Sequence, residues 1–329
     1  QRYPGRDLLI LTLTPNPSTD LTLTLGEQLQ RDSVQRLQSV TSVAGGKGIN
    51  VSNACTLAGV DTLALFPAAA SDPFLELLKA INIRHQAIQN DGAVRTNTTI
   101  TEPDGTTTKL NGPGSLLSDA ARAEVERTLI TAAKEATWVV MSGSLPPGAP
   151  TDWYSALTAQ LRNAYPHINI AVDTSDAPLL SLAENLDSAA PTVIKPNGLE
   201  LGQIVGTDGE ELEAAAARGE FEPVLEAARE LNTRGIAEVL VTLGAAGAAL
   251  VTEQGTWIAS PPPTIAVSTV GAGDSTLAGY VMARQQRADY ATALANAVAY
   301  GSAAASLPGT TIPSPEHINV AETTITQLS

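Results

Sequence analysis

Five times along this chain a polar or glycine-rich cluster follows a short apolar, β-branched run: 142–148, 173–175, 195–200, 244–247 and 271–274. The runs before them, 137–141, 168–172, 191–194, 238–243 and 267–270, have the length and composition of buried strands. Helix-like stretches separate them at 119–134, 151–163 and 223–234, and 290–305 follows the last cluster. Alternation of this kind predicts an α/β fold with a mostly parallel sheet. In open parallel sheets ligands bind beyond the carboxyl ends of the strands. The five clusters are therefore expected to line one crevice, and this shared placement constrains the chain more than any single motif.

Two regions depart from that pattern. Residues 8–13 form an apolar strand ended by Pro15-Asn16-Pro17, and 19–25 then alternate Thr with Leu or Asp. Residues 93–111 are similarly Thr-rich around the turn Pro103-Asp104-Gly105, which predicts a β-hairpin. Period-two alternation of polar β-branched residues fits strands covered on one face only. The two regions are expected to pair as a small sheet outside the main core, acting as a lid. Ser118 is placed to cap the helix over 119–134. The Ala-rich piece 212–218 reads as a surface helix or loop, and no repeat, long linker or low-complexity tract occurs.

The 329 residues carry a net charge of −15, which excludes the clustered Lys and Arg of a broad nucleic-acid surface and disfavours anionic membrane. No stretch has the length and apolarity of a membrane span. Residues 1–7 lack an apolar signal region and read as a short disordered lead. Cys55 is the single cysteine and lies in an apolar run, so it reads as a buried small residue and the compartment as cytoplasmic. His85, His167 and His317 share no metal-ligand spacing. Neither a Gly-x-Ser-x-Gly nucleophile turn nor a Gly-x-x-x-x-Gly-Lys-Ser/Thr loop is present.

Thr269-Val270-Gly271-Ala272-Gly273-Asp274-Ser275 runs two glycines into a helix-like segment. Glycines before a helix let backbone N–H groups converge on an anion that the helix dipole also favours. A carboxylate does not assist anion binding, so Asp274 has another task there. The economical one is taking a proton from a substrate hydroxyl while the loop holds developing negative charge, as in phosphoryl transfer.

Other motifs each carry two readings. Gly45-Gly46-Lys47-Gly48-Ile49-Asn50 allows close backbone approach to a ligand with Lys47 and Asn50 reaching its oxygens, or is a turn before a helix. Asn197 and Glu200, after Lys195-Pro196, can bear on a hydrated Mg²⁺ or form a capping box. The segment Thr242 to Gly247 can approach a nucleotide or make a hairpin turn. Arg95 can clamp a phosphate or sit solvated, Lys109 reads as solvated, and Asp20 can hold sugar hydroxyls or be a turn acid.

Five segments occur in the order of one family: Thr14-Pro15-Asn16-Pro17-Ser18-Thr19-Asp20, Gly45 to Val51, Ser142-Gly143-Ser144-Leu145-Pro146-Pro147-Gly148, Lys195-Pro196-Asn197-x-x-Glu200 and Thr269 to Ser275. Together they resemble the PfkB (ribokinase-like) carbohydrate kinases. Lysine in the glycine run, Val34-x-Arg36 and Arg95-Thr96-Asn97 resemble the members acting on phosphorylated ketohexoses. The resemblance implies a ribokinase-like three-layer α/β sandwich over residues 1–329, with a central mostly parallel sheet and a small β-sheet lid from about 19–43 and 93–111.

It further implies an ATP-dependent kinase with Asp274 as base and Gly271, Ala272 and Gly273 as anion hole. Asp20, Gly45, Gly46 and Asn50 would hold the sugar, with Lys47, Arg95 and Ser144 on its existing phosphate. Lys195, Asn197, Thr242, Gly244 and Gly247 would border ATP, and Asn197 and Glu200 would act on Mg²⁺ through water. Fructose 1-phosphate is the first-choice acceptor. Tagatose 6-phosphate, fructose 6-phosphate and a non-catalytic sugar-phosphate sensor are the alternatives. A monovalent cation and a homodimer through the lid also belong to what the family implies. Departures from its pattern are the glycine-poor 68–74, Asn53 where a basic residue is common, and Ser18-Thr19 before the aspartate.

Overall fold

The computed structural model describes residues 8–328, so the predicted disordered lead at 1–7 lies outside the described residues. In chain order the first strand is β1 (Leu9–Leu13), all five residues of it buried. It is followed by β2 (Ser18–Leu25), β3 (Leu37–Gly45), α1 (Lys47–Leu57), β4 (Thr62–Pro67), α2 (Phe74–Ala80) and β5 (His85–Ile88). The hairpin β6 (Arg95–Thr101) and β7 (Thr107–Asn111) comes next, then α3 (Asp119–Ala133), β8 (Ala136–Ser142), α4 (Trp153–Ala164) and β9 (Asn169–Asp173). The second half contains α5 (Asp176–Glu184), β10 (Val193–Ile194), α6 (Gly198–Val205), α7 (Gly209–Ala217), α8 (Glu222–Thr233) and β11 (Glu238–Thr242). It ends with β12 (Ala248–Thr252), β13 (Gly255–Ser260), α9 (Ala272–Gln285), α10 (Tyr290–Ser306) and β14 (Thr324–Gln327).

Ten strands make one sheet in the order β14-β13-β12-β11-β10-β9-β8-β1-β4-β5. From β11 to β5 all neighbours are parallel, while β12, β13 and β14 are antiparallel. Parallel strands are covered on both faces, which is why they read as continuous apolar runs. One face packs Leu11, Leu13, Val139, Met141 and Val172 against α3, α4 and α8 through residues such as Leu129, Leu157 and Leu231. The other packs Ile10, Val140 and Leu240 against α1, α9 and α10, through Val51, Tyr280 and Leu294. Helix, sheet and helix thus form three layers. Burying each Leu or Ile of these layers stabilises the fold by about 1.5–3 kcal/mol.

The two Thr-rich regions pair: β2 runs parallel to β6 in a separate four-stranded sheet of order β3-β2-β6-β7. The turn between β6 and β7 uses Gly105 at φ 90°, in the left-handed region that glycine adopts without steric cost. Ser118 caps α3 by accepting the Ala121 N–H. Residues 212–217 fall in α7, with Arg218 as its C-cap and Leu212, Ala215 and Ala216 buried, so the helix is one-sided rather than a bare surface helix. Burial pushes the Cys55 thiol up to about 12 and removes it from thiolate chemistry. Among the described residues no helix is long and apolar enough to cross a membrane.

One expectation about placement is corrected. Clusters 142–148, 173–175, 195–200 and 244–247 do follow the carboxyl ends of β8, β9, β10 and β11. The 271–274 cluster does not follow a strand; β13 ends at Ser260 and 261–270 is irregular. Pro261, Pro262 and Pro263 have no N–H to offer a ladder. The apolar approach points outward, with Ile265 86% and Val267 61% exposed. The N–H groups of Val267 and Ser268 instead bond Ala305 O at the end of α10.

Candidate active site

The carboxyl ends of β1, β8, β9 and β10 meet the starts of α1 and α9, and charged side chains converge at that junction. Gly271 caps α9 in the left-handed region at φ 77°, so the helix opens on Ala272, Gly273 and Asp274, whose N–H groups have no partner one turn earlier within the helix; that of Ala272 donates to Thr269 O at 3.3 Å. Asp274 is 5% exposed. Its Oδ2 accepts from Asn50 Nδ2 at 2.8 Å, and its Oδ1 lies 3.3 Å from Lys47 Nζ. Both partners come from the first turn of α1, which brings the two glycine motifs together across 224 and 227 positions.

Asp173, at the end of β9, completes the cluster. Its Oδ2 stands 3.7 Å from Lys47 Nζ and 3.6 Å from Lys195 Nζ, beyond hydrogen-bond length, and it has no hydrogen-bond partner. Lys195 is 6% exposed, and a Cβ on Gly273 would sit 3.1 Å from its Nζ. A buried ammonium therefore lies directly beneath the α9 N-terminus. Asp274, then Asp173, hold the Lys47 ammonium well above the ordinary lysine range. Two cations and a helix N-terminus face one volume, which suits an oligophosphate that loses or gains charge during transfer.

Asp20 is in β2, not in a turn. Burial raises its pKa from the ordinary carboxylate value, against a lowering hydrogen bond from Ser18 (2.7 Å) and the charge of Arg95; the charge of Asp274 raises it further. A Cβ on Gly45 would lie 2.2 Å from Asp20 Oδ2, so glycine there makes room for the carboxylate. Gly46 has φ 116°, again a conformation suited to glycine. The second glycine motif is thus a helix start whose Gly45 also makes room for the Asp20 carboxylate. Lys109 is exposed, yet it shares the Asp20 face of the small sheet and its charge reaches that carboxylate.

Arg95 is not a free solvated cation. Its Nη1 donates to Gly112 O and its Nη2 to Asn16 O, both at 3.1 Å, while its buried Nε has no partner. Ser144 is exposed beside it, with its Oγ accepting from Asn16 Nδ2 at 3.2 Å. Arg95 and Ser144 thus border the root of the small sheet. Gly143 lies between this edge and the charged cluster, since a Cβ on it would sit 3.9 Å from Lys47 Cβ.

Asn197 and Glu200 form the capping box of α6: Asn197 Oδ1 accepts Glu200 N–H at 2.8 Å, and Glu200 Oε1 accepts Asn197 N–H at 3.0 Å. Burial raises the Glu200 pKa from its ordinary value, opposed by the Asn197 N–H, and the Asp173 charge adds to the rise. The capping box uses only Glu200 Oε1. Among the described residues no three His, Cys, Asp or Glu gather as a metal cage. That donor set fits a hydrated Mg²⁺, which takes one or two protein carboxylates and completes its shell with water and phosphate. Thr242 bridges to Asn197 at the end of β11, and Gly244 to Gly247 make the turn into β12. The hairpin reading of that segment holds.

Sequence reasoning assigned no site role to Asp173 or Asn16. An acid directly ending a strand, before Thr174-Ser175, was the available signal for Asp173. Asn16 between two prolines gave no signal beyond a turn.

The profile of the pfkB family of carbohydrate kinases matches residues 16–317. The chain belongs to this family. As a PfkB kinase it is an ATP-dependent phosphotransferase with an alcohol group as acceptor, and its family implies a divalent metal. It is 34% identical over 323 residues to 1-phosphofructokinase of Rhodobacter capsulatus, covering 97% of each chain. It is 35% identical over 318 residues to 1-phosphofructokinase of Haloferax volcanii, covering 96% of this PfkB chain and 97% of the relative. The crystal structure of phosphofructokinase-2 from Escherichia coli in complex with fructose-6-phosphate superposes with a TM-score of 0.81 at 26% identity, over 91% of this chain and 94% of that one.

Proposed function

We propose that this kinase transfers the ATP γ-phosphoryl group to a hydroxymethyl group of a ketohexose phosphate, with fructose 1-phosphate as acceptor and fructose 1,6-bisphosphate as product. The observation that carries the reading is the buried Asp274 carboxylate, held by Asn50 and Lys47 at the N-terminus of α9. The 1-phosphofructokinases among the relatives support the choice of acceptor.

In this reading Asp20 and Asn50 orient the sugar hydroxyls, and Gly45 and Gly46 admit the ring close to the backbone. Ser144 and Arg95 meet the existing phosphate at one end of the sugar; Lys47, expected there with them, lies instead against Asp274 and Asp173. At the other end the acceptor hydroxyl lies against Asp274, which takes its proton as the bond to phosphorus forms. Lys47, Lys195 and the N–H groups of Ala272 and Gly273 hold the charge on the transferring group. Asn197, Thr242, Gly244 and Gly247 border the nucleotide. Asn197 and Glu200, with Asp173 beside Lys195, would hold Mg²⁺ through water, and the metal would supply charge neutralisation on the nucleotide phosphates.

The small sheet acts as the lid that excludes water from the sugar. Its face opposite Asp20 presents Leu21, Leu23, Val40, Ile100 and Leu110, with Val40 54% and Leu110 59% exposed. A second copy of the chain covers that face in our reading. The single buried cysteine suits a reducing cytoplasm. The test is ADP release with Mg-ATP in Asp274→Asn. Loss of turnover with sugar and nucleotide binding retained supports the role, and near-wild-type turnover rejects it.

A further inference from the structure

Asn16 belongs to none of the roles above, yet it joins the two groups assigned to the substrate phosphate. It is 5% exposed, at the carboxyl end of β1 between Pro15 and Pro17. The proline rings limit the backbone on both sides, because a residue before proline is pushed out of the helical region. Its Nδ2 donates to Pro113 O at 3.1 Å and to Ser144 Oγ at 3.2 Å. Its backbone carbonyl accepts from Arg95 Nη2 at 3.1 Å. On the opposite side Gly114 leaves no space, since a Cβ there would lie 2.3 Å from Asn16 Oδ1.

The polarity of this arrangement is determined. A peptide carbonyl can only accept, so the atom facing Pro113 O must be the amide nitrogen. The second hydrogen of the same NH₂ group then points at Ser144, whose oxygen must accept. A hydroxyl whose oxygen accepts in this way keeps its own O–H for another partner. Ser144 is exposed, so that hydrogen is left free to donate to an outside partner, the polarity an anion requires.

We infer that Asn16 is a specificity-determining positioning residue. It commits the Ser144 hydroxyl to donate towards the substrate phosphate and fixes its spacing from Arg95. The inference rests on the proposed phosphosugar reading of the site. Asn16 itself touches no reacting atom.

The experiment measures kcat/KM for fructose 1-phosphate and for free fructose, with KM for ATP, in the full chain. Variants are Asn16→Ala, Asn16→Asp, Ser144→Ala, Arg95→Ala and the double variant Asn16→Ala with Ser144→Ala. Asn16→Asp keeps the volume of the side chain and turns Ser144 inward as a donor, but it also adds a charge and sets an acceptor against Pro113 O, so the uncharged Asn16→Ala and its double variant decide between polarity and charge. Each Asn16 variant is expected to lower the phosphorylated-to-free selectivity about tenfold while KM for ATP stays within about twofold. In the Ser144→Ala background, Asn16→Ala is expected to change selectivity no further, because the effect passes through that hydroxyl. Unchanged selectivity in both Asn16 variants, with selectivity lost in Ser144→Ala and Arg95→Ala, overturns the role of Asn16 alone. So does an additive double variant. Unchanged selectivity in Ser144→Ala and Arg95→Ala overturns the phosphate reading of the site and the Asn16 inference with it.

Discussion

Lys47 Nζ lies 3.3 Å from Asp274 Oδ1, joining the first turn of α1 to the first turn of α9. The pair sets a cation against the carboxylate proposed to meet the acceptor hydroxyl, at a helix N-terminus suited to phosphate. Asp274→Asn keeps the volume but not the basicity, and kcat is expected to fall by about 10²–10⁴-fold. Steady-state ADP release with saturating nucleotide checks this, with KM for ATP expected to stay within about twofold.

The Lys47 ammonium is held above the ordinary lysine range by Asp274 first and Asp173 second. A raised folded-state value contributes stability that is fully present below the unfolded value, near pH 10.4, and is lost only as pH rises through the folded value. Lys47 therefore stays charged across the working range. No loss of kcat attributable to this group is expected between about pH 7 and about pH 9. A falling limb in that window that vanishes in Lys47→Arg would contradict the charge arrangement.

Asp20 shows the opposite sign. Burial is the largest cause of its raised pKa. In the folded state it binds its proton more tightly than in the unfolded state, so ionising it costs stability as pH rises from the unfolded to the folded value. Asp20→Asn removes that cost. Its thermal midpoint is expected to exceed wild type at neutral pH, with the margin closing as pH falls below the unfolded carboxylate value. Sugar kcat/KM is expected to fall at least tenfold in the same variant, since a carboxylate acceptor for sugar hydroxyls is lost. A lower midpoint at neutral pH would place Asp20 in a structural role.

How much of this was legible in the sequence follows from which residues carry local information. The strands before 142, 173, 195 and 244 were readable because parallel strands buried on both faces are continuous apolar runs. The same rule misled at 267–270, where Ile265 and Val267 are apolar but exposed. The pairing of β2 with β6 followed from Thr alternation. The ion pairs of Asp173 with Lys47 and Lys195 span 126 and 22 positions, and nothing local in the sequence signals which acid meets which lysine. The capping box at Asn197 and Glu200 was readable as a box. Its exposure to the Asp173 charge needed the fold.

Glu200→Gln separates the cap from the metal. Glutamine at the third helical position still completes a capping box. The thermal midpoint is therefore expected to stay close to wild type, within about 1 kcal/mol of stability. The Mg²⁺ concentration for half-maximal rate is expected to rise about tenfold or more, as an outer-shell carboxylate is lost. An unchanged Mg²⁺ requirement would confine Glu200 to capping.

The most direct test is initial-rate ADP release with Mg-ATP against fructose 1-phosphate, fructose 6-phosphate, tagatose 6-phosphate and free fructose. The highest kcat/KM is expected with fructose 1-phosphate, with free fructose lowest. A preference for free fructose, or no turnover with any of the three phosphorylated ketohexoses, would contradict the reading of Asp274, Arg95 and Ser144 as a phosphosugar kinase site.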